Sequence, residues 1–302
     1  MIKKLLIIVG VLAGIVLLGV GGYAYYLFDS VKKTATKIHE PIDTQRSSQP
    51  KPKVDKKTLE PISILLMGVD ERTGDRGRSD TMIVITVNPE DKSMYMFNIP
   101  RDTRTEIVGK GFDDKINHAY AFGGTKMAVE TVENFLEVPI DYYIKVNMQS
   151  FQDIVDAVGG VTVTNDNPWK SPERVYETGE IHLDGDEALG YVRMRKQDPR
   201  GDLGRNERQR EVIKAVINEG ASVSSITKFD NILNAIGDNV KTNMTFDEMK
   251  EIQANYKGAR AQLETFEVKG SGTRIDNIYY YIVSDEEQDR ITQTLKQHLE
   301  IG

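Results

Sequence analysis

The chain has 302 residues with a formal net charge of −7, 39% hydrophobic residues, 28% charged residues and no cysteine. That apolar content excludes a chain disordered throughout. The missing cysteine excludes disulfide scaffolds, thiolate metal sites and cysteine nucleophiles. The charge is split: residues 1–60 hold 10 Lys and Arg against 5 Asp and Glu, whereas residues 61–302 hold 29 against 41. An acidic chain with no dominant basic face argues against nucleic acid as a partner.

Residues 5–26 read LLIIVGVLAGIVLLGVGGYAYY, without one charge. About 20 helical residues cross a bilayer core of ~30 Å. The run exceeds the apolar region of about 7–15 residues in a cleavable signal, although Gly22-Tyr23-Ala24 offers a cleavage-like site. Its tyrosine end suits an interfacial belt. The run is therefore read as an uncleaved signal anchor. Lys3 and Lys4 before it nearly balance Lys32, Lys33 and Lys37 after it. Long domains translocate largely regardless of charge, so residues 1–4 are placed in the cytoplasm and the large domain outside. Residues 27–60 are expected to be an extracytoplasmic linker. Its stretch 41–58 has three prolines and no apolar periodicity, as a tether would. The tether's lysines read as solvated, with anionic lipid or wall polymer as the alternative contact.

The pattern changes at Pro61. Apolar runs at 62–69, 82–87 and 94–99 have strand length, and Asn88–Asp91 forms a turn between the second and third. Helical spacing covers 125–136, after a turn at Gly123-Gly124. A strand at 142–146 precedes a helix at 150–158 that ends at Gly159-Gly160, followed by a strand at 161–164. Further helices are expected at 202–219, 246–256 and 286–299, with a strand near 263–268. This alternation predicts one α/β domain over 61–302, a layered α-β-α unit with a central mixed sheet.

Two clusters follow from that order. If the first two strands pair antiparallel, Asp70 and Asp80 meet at one sheet edge. The third strand returns Arg101 and Asp102 to the same edge, so Asp70, Arg78, Asp80 and Arg101 converge. The second cluster is Arg193, Arg195, Asp202, Arg205 and Gln209. On a helix starting near Asp202, the residues Asp202, Arg205 and Gln209 share a stripe with Ile213, Val216 and Ile217. Charge on an inward stripe is costly unless paired or ligand-bound. A structural salt-bridge network is the competing explanation. Arg208 and Arg210 fall off the stripe and read as rim or solvated residues.

Of the 15 arginines in residues 61–302, 11 lie within 72–78, 101–104 and 193–210, while the 14 lysines are scattered. Arginine forks match phosphate oxygens bidentately. Carboxylates beside them suit Mg²⁺, which takes one or two carboxylates plus substrate phosphates. His118 and His182 stand alone and read as structural. Asp102 and Asp202 are both candidates for the base that activates an acceptor hydroxyl. Either could instead orient an arginine, and Asp102 could simply cap a turn.

These residues resemble the LytR–CpsA–Psr family. The matching motifs are Gly68-Val69-Asp70 with Arg72, Arg78-Ser79-Asp80-Thr81, Ile99-Pro100-Arg101-Asp102, Ile116-Asn117-His118-Ala119-Tyr120 before Gly123-Gly124, Arg193 with Arg195, and Asp202 with Arg205, Arg208 and Gln209. They span about 61–215; the last 80 or so residues carry none. The resemblance implies a membrane-anchored phosphotransferase of a Gram-positive envelope. Such an enzyme moves a glycopolymer, here expected to be wall teichoic acid, from undecaprenyl-pyrophosphate to the C6 hydroxyl of N-acetylmuramic acid in peptidoglycan. It implies Mg²⁺ held by Asp70 and Asp80. Arg78, Arg101, Arg193, Arg195, Arg205 and Gln209 would grip the pyrophosphate, and Asp202 would orient them. Arg101, Asp202 and Asp102 are the catalytic candidates. The lipid tail implies an apolar tunnel whose lining the sequence does not name. The alternatives are a lipid pyrophosphatase with water as acceptor, and a non-catalytic wall-polymer binder or envelope regulator.

Overall fold

The structure is a computed structural model that describes residues 25–44, 59–71, 77–172, 174–220 and 229–301. The expected membrane span lies outside these residues except for Tyr25 and Tyr26, which are helical and exposed. Among the described residues no helix is long and apolar enough to cross a membrane.

Residues 25–38 form helix α1. Strands β1 (Ile62–Val69), β2 (Ser79–Asn88) and β3 (Ser93–Asn98) follow as a meander. A short ribbon of β4 (Arg104–Glu106) and β5 (Asp113–Lys115) leads to α2 (His118–Leu136) and β6 (Tyr142–Asn147). Next come α3 (Met148–Val158), β7 (Val161–Asn165), β8 (Trp169–Lys170), β9 (Val175–Tyr176), β10 (Gly179–Leu183) and α4 (Gly185–Arg193). The chain continues through α5 (Asp202–Gly220), α6 (Phe229–Asn239), β11 (Val240–Thr242) and α7 (Phe246–Asn255). Strand β12 (Gln262–Thr265), the hairpin β13 (Ser271–Ile275) and β14 (Ile278–Ile282), and α8 (Asp285–His298) complete it.

The central sheet has the order β11-β6-β1-β2-β3-β12. The pairs β1–β6 and β3–β12 are parallel and the others antiparallel, so the sheet is mixed. Strand β1 reads ISILLMGV because both of its faces are covered. Leu65 and Met67 point into a core built with Val129, Val132 and Phe135 of α2 and Ile291 and Leu295 of α8. Ile62 belongs to the opposite core, with Ile83, Ile85 and Met96 of the sheet and Tyr256 after α7. A third cluster joins Val155 of α3, Tyr191 of α4 and Val212 of α5 to Val161 and Leu183. Helices thus cover both faces of a mixed sheet, as the element order predicts.

Besides helix α6 and the short strands β4, β5, β8–β11, β13 and β14, which the sequence reading does not contain, three segments differ from it. Helix α2 starts at His118, ahead of the expected turn, and the break falls within it at Gly124 with φ +68°, a conformation open to glycine. Helix α4 was not expected, although its start is marked by a capping box of Asp184 and Glu187. The expected linker begins with ordered structure. In α1 the residues Val31, Thr34, Ala35 and Ile38 fall at i, i+3, i+4 and i+7, one helical face. Ala35 and Ile38 are buried. Beyond the helix, the Glu40 N–H donates to the Thr242 carbonyl at 2.7 Å and the Tyr143 hydroxyl donates to the Glu40 carbonyl at 2.6 Å. The stretch 45–58 lies outside the described residues.

Candidate functional site

The site grows from the sheet edge that the first two strands share. Their register pairs Gly68 with Thr81 and, across an irregularity, Val69 with Ser79. The Asp70 N–H then donates to the Arg78 carbonyl at 3.1 Å, which sets Asp70 and Asp80 at one edge. The Ile99 N–H donates to the Met82 carbonyl at 2.9 Å, so the chain after β3 delivers Arg101 beside them. Arg101 Nη1 lies 3.1 Å from Asp80 Oδ1, and Asn117 Nδ2 donates to the same oxygen at 3.2 Å.

Helix α5 supplies the second cluster. Arg205 and Gln209 are buried in its first turns. Arg205 Nη1 is 3.3 Å from Asp202 Oδ1, and Arg195 Nη1 is 3.7 Å from it. Asn98 Nδ2 donates to Gln209 Oε1 at 3.0 Å. Burial lowers the Arg205 pKa; Asp202 and Asp80 oppose this, whereas Arg101 and Arg195 push the same way. Several guanidinium groups therefore crowd one desolvated point. The Nε–H groups of Arg101 and Arg205 are buried and have no hydrogen-bond acceptor. Unmet cationic donors of this kind define an anion site.

That point is the mouth of a cavity of about 1020 Å³ between the sheet and helices α1, α3, α5 and α6. The body is apolar, with Leu66, Val146, Phe151, Ile213, Val216 and Ile236 among its walls. Five cations, Arg101, Arg193, Arg195, Lys196 and Arg205, line it against two carboxylates, Asp70 and Asp80. Of the predicted stripe, Arg205, Gln209, Ile213, Val216 and Ile217 form the α5 wall of this cavity, whereas Asp202 does not line it. An amphiphile with a phosphate head and an apolar tail matches both halves. Asp70 and Asp80 line the cavity, and the Asn117 amide that donates to Asp80 has its Oδ1 buried without a hydrogen-bond partner. Such oxygens suit a hard cation whose other positions are filled by phosphate oxygens. Among the described residues no group of three or more His, Asp or Glu could hold a metal by itself.

The expected residues divide as follows. Asp70, Asp80, Arg101, Arg193, Arg195, Arg205 and Gln209 line the cavity. Arg78 is exposed and outside that lining. Asp102 and Asp202 line a second, smaller pocket that shares Arg101, Arg195 and Arg205 with the cavity. Asp102 Oδ1 accepts from Lys115 Nζ at 2.7 Å, and its Oδ2 lies 3.7 Å from Arg101 Nε. His118 pairs with Asp114 at 2.8 Å, away from the cavity.

Arg208 and Arg210 correct the sequence reading, because both are buried. The first turns of α5 are enclosed on several sides, so leaving the cavity stripe does not mean reaching solvent. Arg208 donates from Nε to the Tyr191 carbonyl at 3.1 Å, from Nη2 to the Met194 carbonyl at 2.6 Å, and pairs with Asp198. Arg210 Nη1 donates to Asn98 Oδ1 at 2.8 Å. The sequence reading also missed Asp198, Asn98 and Lys115. None belongs to a periodic apolar stripe, and their role depends on tertiary contacts.

The LytR_cpsA_psr family model matches residues 25–297. The polyisoprenyl-teichoic acid–peptidoglycan teichoic acid transferase TagU of Bacillus subtilis (strain 168) is 52% identical over 298 residues, covering 99% of this chain and 97% of that protein. The crystal structure of B. subtilis TagU is 50% identical, with a TM-score of 0.66, covering 80% of this chain and 98% of that one. The structure of TagT bound to LIIa-WTA is 30% identical, with a TM-score of 0.70, covering 86% of this chain and all of that one.

Proposed function

The chain belongs to the LytR_cpsA_psr family, and on that premise we propose that it transfers a teichoic acid from a polyisoprenyl-linked donor to peptidoglycan. The observation that carries this reading is the joined cavity. A long apolar chamber opens onto buried, unpartnered arginine Nε–H groups. The apolar chamber takes the polyprenyl tail of an undecaprenyl-pyrophosphate donor. The arginines take its pyrophosphate.

The chemistry follows from charge. An acceptor hydroxyl oxygen, the C6 hydroxyl of N-acetylmuramic acid, bonds to the phosphorus that carries the polymer. The bond from that phosphorus to the bridging oxygen breaks, and its electron pair leaves on the lipid phosphate. Phosphoryl transfer of this kind is mainly positioning and stabilisation of developing charge. Arg101, Arg195 and Arg205 stabilise the leaving phosphate, and Arg193 and Gln209 bind the phosphates from α4 and α5. Asp80 holds Arg101 in place. Asp102, hydrogen-bonded to Lys115, acts as a positioning carboxylate; Asp202, whose Oδ1 has ion-pair contacts to Arg195 and Arg205 but no hydrogen bond, takes the hydroxyl proton. Asp70 and Asp80 would hold Mg²⁺, which when bound supplies further charge neutralisation on phosphate oxygens. In the same proposal residues 5–26 anchor the chain in the cell membrane as a single span, with residues 1–4 inside and the domain outside.

The test is attachment of a lipid-pyrophosphate-linked teichoic acid to peptidoglycan by the full chain. Arg101→Ala and Arg205→Ala should each lose roughly 10²-fold or more in transfer rate, the scale of one removed transition-state donor. Full attachment by both variants refutes the site. Release of free polymer by the wild type, with none attached, favours the pyrophosphatase reading.

A further inference from the structure

The second pocket, of about 440 Å³, shares Arg101, Arg195, Lys196 and Arg205 with the lipid cavity. The remaining walls differ. The lipid side is apolar, while the second pocket is lined by Asp202, Asn206, Arg200, Tyr279 and Tyr281. The two pockets meet at these cations. A phosphate held there has its lipid leaving group in the apolar cavity. In phosphoryl transfer the attacking and leaving oxygens are roughly in line, and the second pocket is the polar space, bounded by the same cations, that offers an attacking hydroxyl its approach.

From this arrangement we infer that the second pocket is the acceptor subsite, which binds a sugar of the peptidoglycan glycan strand against the tyrosines of the β13–β14 hairpin. The inference rests on the transferase reading above and adds where the acceptor sits. The hairpin is fixed to the site by backbone contacts. The Tyr281 N–H donates to the Asp102 carbonyl at 2.8 Å, and Thr103 bridges to Tyr281 in parallel fashion. The Tyr281 hydroxyl is used internally, donating to the Val268 carbonyl at 3.0 Å. Tyr279 is different: its residue is 42% exposed, next to exposed Ile278 and Ile275. The phenol end of its ring packs over Gly272, and Lys115 Nζ lies 6.0 Å from the ring centroid; the exposed remainder gives a sugar an apolar edge to pack against, with polar groups of the pocket beside it. Burial, followed by Asp102 and Asp202, raises the Tyr279 pKa, so its phenol stays neutral. Asp202 Oδ1 has no hydrogen-bond partner and lies 3.3 Å from Arg205 Nη1 and 3.7 Å from Arg195 Nη1, so it can take a hydroxyl proton beside the cations that hold the phosphate. Lys196 suits the carboxylates of peptidoglycan stem peptides, whereas Arg200 is paired within the chain, with Glu207 and Asp198.

The balance of the step is unchanged. The acceptor oxygen gains the bond to phosphorus, its proton passes to the Asp202 carboxylate, and the lipid phosphate departs with the bridging electron pair.

The test uses the full chain in detergent with undecaprenyl-pyrophosphate-linked polymer as donor and uncrosslinked peptidoglycan strands as acceptor. Tyr279→Ala should raise the KM for the acceptor about tenfold, the scale of one lost contact, while donor affinity stays at the wild-type value. Tyr279→Phe keeps the ring and should restore the acceptor KM. An unchanged acceptor KM in Tyr279→Ala overturns the subsite. So does a parallel loss of donor affinity, which would mark a structural role. Failure of the wild type to bind donor at all would instead remove the transferase reading itself.

Discussion

The buried pair of Asp198 and Arg208 should be the most sensitive structural point of the site. Their side chains are 1% and 4% exposed. Arg208 ties three parts of the turn between α4 and α5 together, through Tyr191, Met194 and Asp198. The Arg200 N–H also donates to Asp198 Oδ1 at 2.8 Å. Burial works against the Asp198 charge, but Arg208 and Arg200 outweigh it and hold its carboxyl below the usual range. The fit is close, since a Cβ placed on Gly204 would lie 1.8 Å from Asp198 Oδ2. Asp198→Ala removes the carboxylate and leaves a guanidinium buried without its counter-charge. Breaking one side of such a pair costs about 3–5 kcal/mol, whereas an exposed pair contributes about 0–1 kcal/mol. For a domain of this size the loss corresponds to a Tm lowered by about 6–20 °C. Thermal unfolding of the full chain in detergent measures it. The double variant Asp198→Leu, Arg208→Met orphans no charge and should recover part of the loss. An exposed comparator is Lys250–Asp247, with side chains 50% and 82% exposed; Asp247→Ala should leave Tm nearly unchanged. A Tm for Asp198→Ala within about 2 °C of wild type would refute the reasoning.

Three further outcomes are expected. His298 is buried between Thr86 at 2.8 Å and Ser93 at 2.9 Å; burial lowers its pKa, against Asp91, Glu264 and Glu300. The unfolded chain then takes up a proton that the folded chain refuses. Stability is full above about pH 6.5 and declines below it, by up to about 1.4 kcal/mol per pH unit until the native group protonates. Urea unfolding at pH 7.5 and 5.5 reads the slope, and an equal slope in His298→Asn would count against it. Ile217→Glu puts a carboxylate on the α5 wall of the lipid cavity and should weaken a long-tailed donor by about tenfold or more. A short-tailed pyrophosphate analogue should bind as before, and equal loss for both would contradict the tail site. A Cβ on Gly237 would lie 3.5 Å from Thr34 Cγ2, so Thr34→Cys with Gly237→Cys should oxidise to a disulfide. The chain has no other cysteine, so thiol counting reports the result directly. Two persistent free thiols would mean that α1 does not dock.

What was legible in the sequence depended on whether a local rule was enough. Antiparallel pairing of the first two strands put Asp70 and Asp80 at one edge, and the Asn88–Asp91 turn brought Arg101 back to it, because strand pairing and side-chain alternation follow from local pattern. The α5 stripe was legible because helical period alone sets it. The same period could not reveal what lies on the other faces of α5, so Arg208 and Arg210 were misplaced at the surface. Their partners Asp198 and Asn98 sit 10 and 112 residues away. Tyr279 and Tyr281 carry no spacing signal either. Their relevance comes from a backbone bridge to Thr103, far upstream in the chain.

The uneven charge of the chain acquires a structural meaning through α1. Its apolar face, Val31, Thr34, Ala35 and Ile38, is a wall of the lipid cavity, while Lys32, Lys33, Thr36 and Lys37 are exposed. If residues 5–26 span the bilayer, the segment that leaves the membrane also encloses the chamber for the donor's tail. The tail then needs no long passage through water, because its route from bilayer to cavity runs along one continuous stretch of chain. Outward lysines suit an anionic membrane surface. On the proposed function the arginines serve the other end of the same substrate, in a domain that is otherwise acidic. Positive charge therefore stands at the two places where the donor carries or meets negative charge, and the apolar chamber lies between them.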